Sequence, residues 1–587
     1  MGDGLTKPDW MQISRLSTQR REQHVPTGML LQAANEDSSM AEKQLCQVSF
    51  FSPEFIDPTC LIPGTVPWVL ARFGSVVFPA WLFKGWSKDH GRGRDAWSPL
   101  VLMSLLMLRF LEAGMARRAA VRRAKSDLVW RAALGLVMGG ASPSETTVRR
   151  FEAFLAGRDE RTGMLRYLLV HEHLVRLCLQ DEQLVVASAW ATDSTPMWCY
   201  GAVRDTVRLL GDGVVRLARR YARLKHIAVE QLASDWQLPL LLSKSVKGHY
   251  RIDWSDREQR SEVIEQLAED VVRVVEQVRS DVESLESKYR KDLLRRCNLL
   301  LRLVEQDLEV DEIGRLVVAR RVAKDRIVSL TEPQARHGRK SKSQTFNGFK
   351  LHLVGDLVSG LIASIAVTGG NQHDGKPAAR LIRRARQLCD AIEIVLGDTA
   401  YGGAELRYVV RKSIWVELIA PPPPVRSKDN GFSRNDFDIE IAEKRATCPR
   451  GRSATGLRMA WSKDLDAYQP VFTWNKQTCA GCDAREACIG KGSGGRGKFL
   501  AIHPYESEVR HAREQWDNPE VREQYRVRSQ CERLINQVVR HGGRQARSFG
   551  LRAAQLQAHV IAMRCNLALF AKQMLKAQEG AVVEKAA

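Results

Sequence analysis

The stretch Ile392-Glu393-Ile394-Val395-Leu396-Gly397-Asp398-Thr399-Ala400-Tyr401-Gly402-Gly403 joins a short apolar run to an aspartate set among small residues. It reads as a buried strand that stops at an acid, and the carboxyl ends of strands in open α/β sheets are where sites assemble. Upstream of it, a helix is expected from about Lys376 to Cys389. Before that helix, Phe349 to Val354, the Gly355-Asp356 turn signal and Gly360 to Val367 read as a hairpin. Downstream, Ile414 to Ile419 reads as another strand, closed by Pro421 to Pro424. Much earlier, Leu184 to Thr192 reads as a buried central strand running into Asp193. Strands alternating with helices indicate an α/β core. Taken alone, a strand-end aspartate is usually a turn or cap residue. Asp193 and Asp398 gain meaning as a pair, with a third acid, Glu532, on an expected helix from Tyr525 to Val539.

The core segments, 182–204 and 336–424, are separated by residues 205–335, which read mostly as helix. There Ile264, Leu267, Val271, Val274, Val278, Val282 and Leu285 recur at helical steps, leaving charged faces outside. The pattern fits a solvated helical arm or a coiled-coil hairpin. Residues 1–48 are polar and mixed in charge and read as disordered, with no secretory signal, and Met40 is an alternative start. Residues 49–181 read as a helical N-terminal region: Ser98-Pro99 starts a helix that stops near Gly114, and Ser142-Pro143-Ser144 starts another. The second carries Arg149 and Arg150 beside its apolar face, so a helix-turn-helix-like DNA-binding unit and a plain bundle are both open. Residues 425–510 are loop-rich and hold the cysteine cluster, and residues 511–587 read as C-terminal helices completing the core. In the last helix, Leu556, Val560, Met563, Leu567, Phe570 and Met574 form a stripe suited to core packing.

The charge balance points to the partner. Lys and Arg number 89 against 68 Asp and Glu, a formal net charge of +21. Such an excess favours a polyanion. The apolar run Leu100 to Leu108 is too short to span a bilayer, so nucleic acid is expected rather than a membrane. The 12 cysteines are mostly isolated, which fits a reducing, cytoplasmic setting.

Leu396 to Gly403 resembles the second-aspartate motif of bacterial insertion-sequence transposases of the DDE class. Phe346-Asn347-Gly348-Phe349-Lys350, with Asn371-Gln372-His373-Asp374 downstream, resembles the hairpin before that motif, and Tyr525-x-x-Arg528-x-x-x-Glu532 matches the family's glutamate signature. The resemblance covers about residues 60 to 575. It implies an RNase H-like catalytic core within an α/β fold, with a helical N-terminal domain, a helical insertion and a cysteine-rich insertion. It further implies a catalytic triad of Asp193, Asp398 and Glu532 holding Mg²⁺ or Mn²⁺, with Asp193 bridging two ions. Hard cations prefer carboxylate oxygens, and two of them can activate the attacking and leaving oxygens of an in-line displacement at phosphorus. The implied partners are double-stranded DNA, as element ends and target, and a second copy of the chain in a homodimer on DNA. The expected place is the cytoplasm, on the nucleoid.

The signature usually continues with Lys seven positions after the glutamate, where this chain has Val539 followed by Arg540. Arg528, Arg533, Arg540, Arg544 and Arg547 are the candidates for the phosphate contact, and Tyr525 belongs to the same signature. Arg336, His337, Arg339, Lys340 and Lys342 form a basic run that suits phosphates or a solvated loop. His373 and Asp374 are read as a turn that can line the pocket. Cys448-Pro449-Arg450-Gly451, Cys479-x-x-Cys482 and Cys488 fit a structural Zn²⁺ of irregular spacing, or free thiols. Two other functions share these residues: a catalytically inactive domesticated DNA-binding protein, and a metal-dependent nuclease without strand transfer.

Overall fold

The computed structural model describes residues 61–86, 96–137, 139–182, 184–341, 343–424, 431–441, 443–463, 465–489 and 496–586. The reading of residues 1–48 and the candidate Lys342 lie outside the described residues. A mixed sheet organises the fold. Its centre is β1 (Ala189–Trp198), paired antiparallel with β2 (Thr345–Asp356) from Trp190 opposite Asp356 to Trp198 opposite Gly348. On the far side of β2 lies β3 (Ile362–Gly369), also antiparallel. On the other side of β1 come β4 (Ile394–Leu396) and β5 (Glu417–Ile419), both parallel. The order is therefore β3-β2-β1-β4-β5, and the short strand Arg336–Arg339 extends the β3 edge against the start of β2. Close approach explains one glycine: a Cβ on Gly348, at φ +151, would lie 2.3 Å from the Met197 carbonyl oxygen.

The expected hairpin and the helix after it are present, the latter as Gly375–Leu388. Two strands differ from expectation. Residues 184–188 are not strand, and β1 runs through Asp193 instead of ending before it. The reason is pairing: β2 matches β1 along its whole length, so the acid is carried inside the strand. Strand β5 is shorter than 414–419, because Val410–Ile414 forms a π-helical turn that ends with Trp415 at φ 61.

We number the main helices in chain order. The N-terminal set is α1 (Val66–Val77), α2 (Pro99–Arg109), α3 (Arg117–Ser126), α4 (Leu128–Leu134), α5 (Glu145–Leu155) and α6 (Arg166–Leu179). The Ser144 hydroxyl accepts from the Thr147 amide and caps α5 as expected, whereas Ser98 makes no cap bond and α2 ends at Arg109 rather than near Gly114. These helices do not fold apart. Phe73, Leu106, Phe151 and Leu174 share one apolar core with the sheet and with the last helix.

Residues 206–307 build a separate core from α7 (Thr206–Lys225), α8 (Arg257–Asp281) and α9 (Ser287–Asp307). Ile264, Leu267, Val271, Val274 and Val278 are buried there, so the stripe is packing for a bundle. A third, small core of Phe437, Ile439, Phe472, Trp474 and Leu500 belongs to the cysteine-rich segment. Helix α10 (Gly375–Leu388) covers one face of the sheet. The C-terminal part is α11 (Glu506–Asp517), α12 (Pro519–Arg526), α13 (Cys531–Arg540) and α14 (Leu551–Ala586). The helix expected from Tyr525 to Val539 is divided, because Val527–Gln530 tightens into a 3₁₀ turn. The stripe from Leu556 to Met574 is buried, as core packing requires. Among the described residues, no helix is long and apolar enough to cross a membrane.

Candidate active site

A site forms where β1 and β4 part. Their pairing ends at Ala191 opposite Leu396, while β1 continues along β2. Asp193 lies just past that fork on β1, and Asp398 just past it after β4. Helix α13 crosses beside β1 and brings Glu532 in its first turn. The three acids, from segments more than a hundred residues apart, line one cavity of about 460 Å³. Asp374, ahead of α10, is a fourth carboxylate in its wall.

Two of these acids share a cation. Arg528 Nη2 stands 3.2 Å from Asp193 Oδ2 and 3.9 Å from Asp398 Oδ2. The other oxygens are held by the backbone: Asp193 Oδ1 accepts from the Ser194 amide at 2.8 Å, and Asp398 Oδ1 from the Ala400 amide at 2.8 Å. Burial pushes the Asp193 carboxyl up, and Arg528 and the Ser194 amide oppose that rise. Asp398 and Asp374 add to it by like-charge repulsion. Burial works against the charged form of Arg528, but the nearby anions, Asp193 foremost, raise it on balance. The buried Tyr401 hydroxyl is likewise held up, first by burial and then by Asp374, Asp193 and Asp398.

Hydrogen bonds fix the walls. Tyr525 donates to the Gly397 carbonyl at 3.0 Å, and its ring meets Trp516 edge-on at 4.9 Å. That ties α12 to the loop carrying Asp398. Lys350 Nζ donates to Asp374 Oδ1 at 2.9 Å and to the Gln372 carbonyl at 3.0 Å. Arg339, Lys340 and Arg544 also line the cavity, and none makes an ion pair among the described residues. The pocket thus joins four acids to a basic rim, which suits a cation beside a phosphodiester.

The other candidates lie elsewhere. Arg149 and Arg150 are exposed on α5, and Arg149 borders a separate cavity with Arg109, Arg117 and Arg552. Arg540 is away from the acids, at the far end of α13. Arg533 donates to the Leu357 carbonyl and Arg547 to the Ala113 carbonyl, so both are engaged in structure. His373 closes a turn by accepting from the Gly375 amide at 3.2 Å. Sequence reasoning gave Lys350 no role. A lysine amid the apolar residues of Phe349 to Val354 was the available signal.

Cys448, Cys479 and Cys488 flank the third core. Gly451 takes φ +71 and donates to the Cys448 carbonyl at 2.8 Å, closing the Cys-Pro-x-Gly turn. The Cys488 thiol is pushed up by burial, against Lys498, with the thiols of Cys479, Cys448 and Cys482 adding to the rise. Even so, among the described residues no group of three or more His, Cys, Asp or Glu side chains is arranged to hold a metal ion. At the acids, Arg528 occupies the space between two of the carboxylates.

Comparison with known families gives two matches. Residues 447–571 match a family described as Transposase DDE domain, and residues 70–153 match a Transposase domain (DUF772). The first match contains Glu532 but neither Asp193 nor Asp398, and the second contains Arg149 and Arg150. No curated protein and no solved structure matches the chain.

Proposed function

As the two family matches support an insertion-sequence DDE transposase, we propose that Asp193, Asp398 and Glu532 are its catalytic acids and that it cleaves and joins DNA at the element's ends. The observation that carries this reading is the convergence of the three acids in one cavity whose basic rim makes no ion pair among the described residues. An RNase H-like core is supported by the mixed sheet, with the acids at the parting of β1 and β4. The carboxylate oxygens suit Mg²⁺ or Mn²⁺, and the guanidinium of Arg528 between two of them marks a place that favours a cation. Bound there, such an ion would supply Lewis-acid stabilisation of charge at the attacking and leaving oxygens.

The chain's own residues do the rest. Asp193 and Asp398, each pinned by a backbone amide, keep fixed oxygens toward the cavity. Arg528 pairs with Asp193 and stands beside Asp398, and it would be free to turn to the phosphate if a cation took its place between them. Arg339, Lys340 and Arg544 bind backbone phosphates and set the strand's register. Arg149 and Arg150, exposed on α5, are proposed to reach a further stretch of the same duplex. Two element ends must meet, so a homodimer on DNA is part of the proposal. A structural Zn²⁺ on Cys448, Cys479, Cys482 and Cys488 rests on the sequence pattern alone, and a metal assay on purified protein would test it.

Purified chain, DNA carrying the flanking ends and Mg²⁺ or Mn²⁺ test the function. Nicking at the ends and joined products are expected. Nicking without joining would leave a nuclease, and binding without nicking would leave an inactive DNA-binding protein.

A further inference from the structure

A second basic cavity lies at the other end of α13 from Glu532. Its volume is about 680 Å³, and Arg540, Arg564 and Lys572 line it. No carboxylate pairs with any of the three among the described residues. Glu112 is the one acid in the wall, and it leans toward Arg123 at 3.8 Å with its side chain 75% exposed. Arg564 is half-buried on α14, its Nε has no hydrogen-bond partner, and burial together with Arg540 lowers its pKa. Of the three, Arg564 is the one that loses water, since Arg540 and Lys572 are exposed, and gathering like charges beside it adds repulsion. Inside the helical insertion, by contrast, half-buried arginines have their acids: Arg220 with Asp292, Arg326 with Asp307.

Position relates this cavity to the acids. Glu532, Asn536 and Arg540 recur every four residues on α13 and are all exposed, so they form one stripe along the helix. Glu532 and Asn536 line the acid cavity, and Arg540 lines the basic one. Eight residues of helix span about 12 Å, a distance that a DNA strand covers within a few nucleotides. We propose that the Arg540–Arg564–Lys572 cavity is a phosphate-binding pocket for the DNA backbone, holding a strand a few nucleotides from the phosphodiester at the acids. The inference rests on the DNA-cleaving reading above and deepens it.

The test uses the full chain and an end-bearing duplex in which single phosphates are replaced by uncharged methylphosphonates. Binding is measured over a range of salt for wild type and for R540Q/K572Q, both exposed positions. Wild type is expected to lose roughly tenfold in affinity when one phosphate within about four nucleotides of the cleavage point is neutralised. The double variant is expected to lose nothing further there, and its log–log salt slope to fall by about 0.9, one phosphate's worth. An unchanged slope, or equal sensitivity of both proteins to that phosphate, would overturn the pocket while leaving DNA binding intact. Wild-type protein that does not bind the duplex at any salt would overturn the DNA reading and the pocket with it.

Discussion

The helical insertion and the acid cavity treat charge in opposite ways. In the insertion, Asp292 is shared by Arg220, Arg295 and Arg296, and Asp307, with a side chain 3% exposed, takes both Arg326 and the Thr206 hydroxyl. Acids and bases there neutralise one another. In the cavity, a single arginine spans two aspartates at 3.2 and 3.9 Å, Asp374 has Lys350, and Glu532, Arg339, Lys340 and Arg544 have no ionic partner among the described residues. Charges that are satisfied internally hold a bundle together. Charges left over await something from outside, and here both signs are left over: Glu532 for a cation, and Arg339, Lys340 and Arg544 for an anion.

The contrast between the two regions is most exposed to disproof at the acids. Asp193→Asn or Glu532→Gln should lower strand cleavage by roughly a thousandfold or more, the scale on which loss of a charge-stabilising group acts, while leaving the fold intact. Circular dichroism and single-turnover cleavage read the two separately, and a variant that cleaves within tenfold of wild type would put its residue outside the chemistry. The mirror case is Asp307→Ala in the insertion. Removing the partner of a buried charge should cost about 3 kcal/mol in urea unfolding with cleavage per folded molecule unchanged. A change in rate at constant stability would show that the insertion is part of the site.

A third expectation concerns charge that must stay absent. His171 and His559 meet at 3.0 Å in the shared core, where burial lowers His171 to about 4 and His559 well below its ordinary value. A depressed folded pKa means that the neutral form stabilises the fold, fully above the unfolded value near 6.5. That stability is lost as pH falls from about 6.5 toward 4, by about 3 kcal/mol for His171 alone. Unfolding midpoints across that range measure it, and a flat profile would contradict the burial. The smallest effect is at the rim. Replacing Arg339 or Lys340 with Gln should reduce the salt slope of DNA binding by about 0.9 for each phosphate that is no longer neutralised, with no change in unfolding. Unaltered slopes would mean that those side chains are a solvated surface.

How far the sequence alone reaches can be judged from these same residues. Asp398 was legible because apolar strand, glycine and aspartate stand together, and Glu532 because its spacing from Tyr525 and Arg528 follows a signature. The stripe from Leu556 to Met574 was legible because helical periodicity survives any tertiary context. The strand expected over 184–192 is displaced, since 184–188 is not strand and β1 pairs with β2 from Trp190 to Trp198. Only the partner strand determines which segment joins a sheet, and the partner lies more than 140 residues later, beyond the insertion. Lys350 and the Arg564–Lys572 pair escaped notice for a related reason. Their meaning comes from what stands opposite them, Asp374 in one case and Arg540 in the other, and neither neighbour is close in sequence.

Asp193, Asp398 and Glu532 are proposed to hold a cation in the cavity. Mn²⁺ titration of the full chain on end-bearing DNA, followed by electron paramagnetic resonance, addresses it without depending on turnover. The account predicts Mn²⁺ binding to wild type that is lost in Asp193→Asn, Asp398→Ala and Glu532→Gln, and retained in Asp307→Ala. Equal Mn²⁺ binding by wild type and the three cavity variants would contradict it.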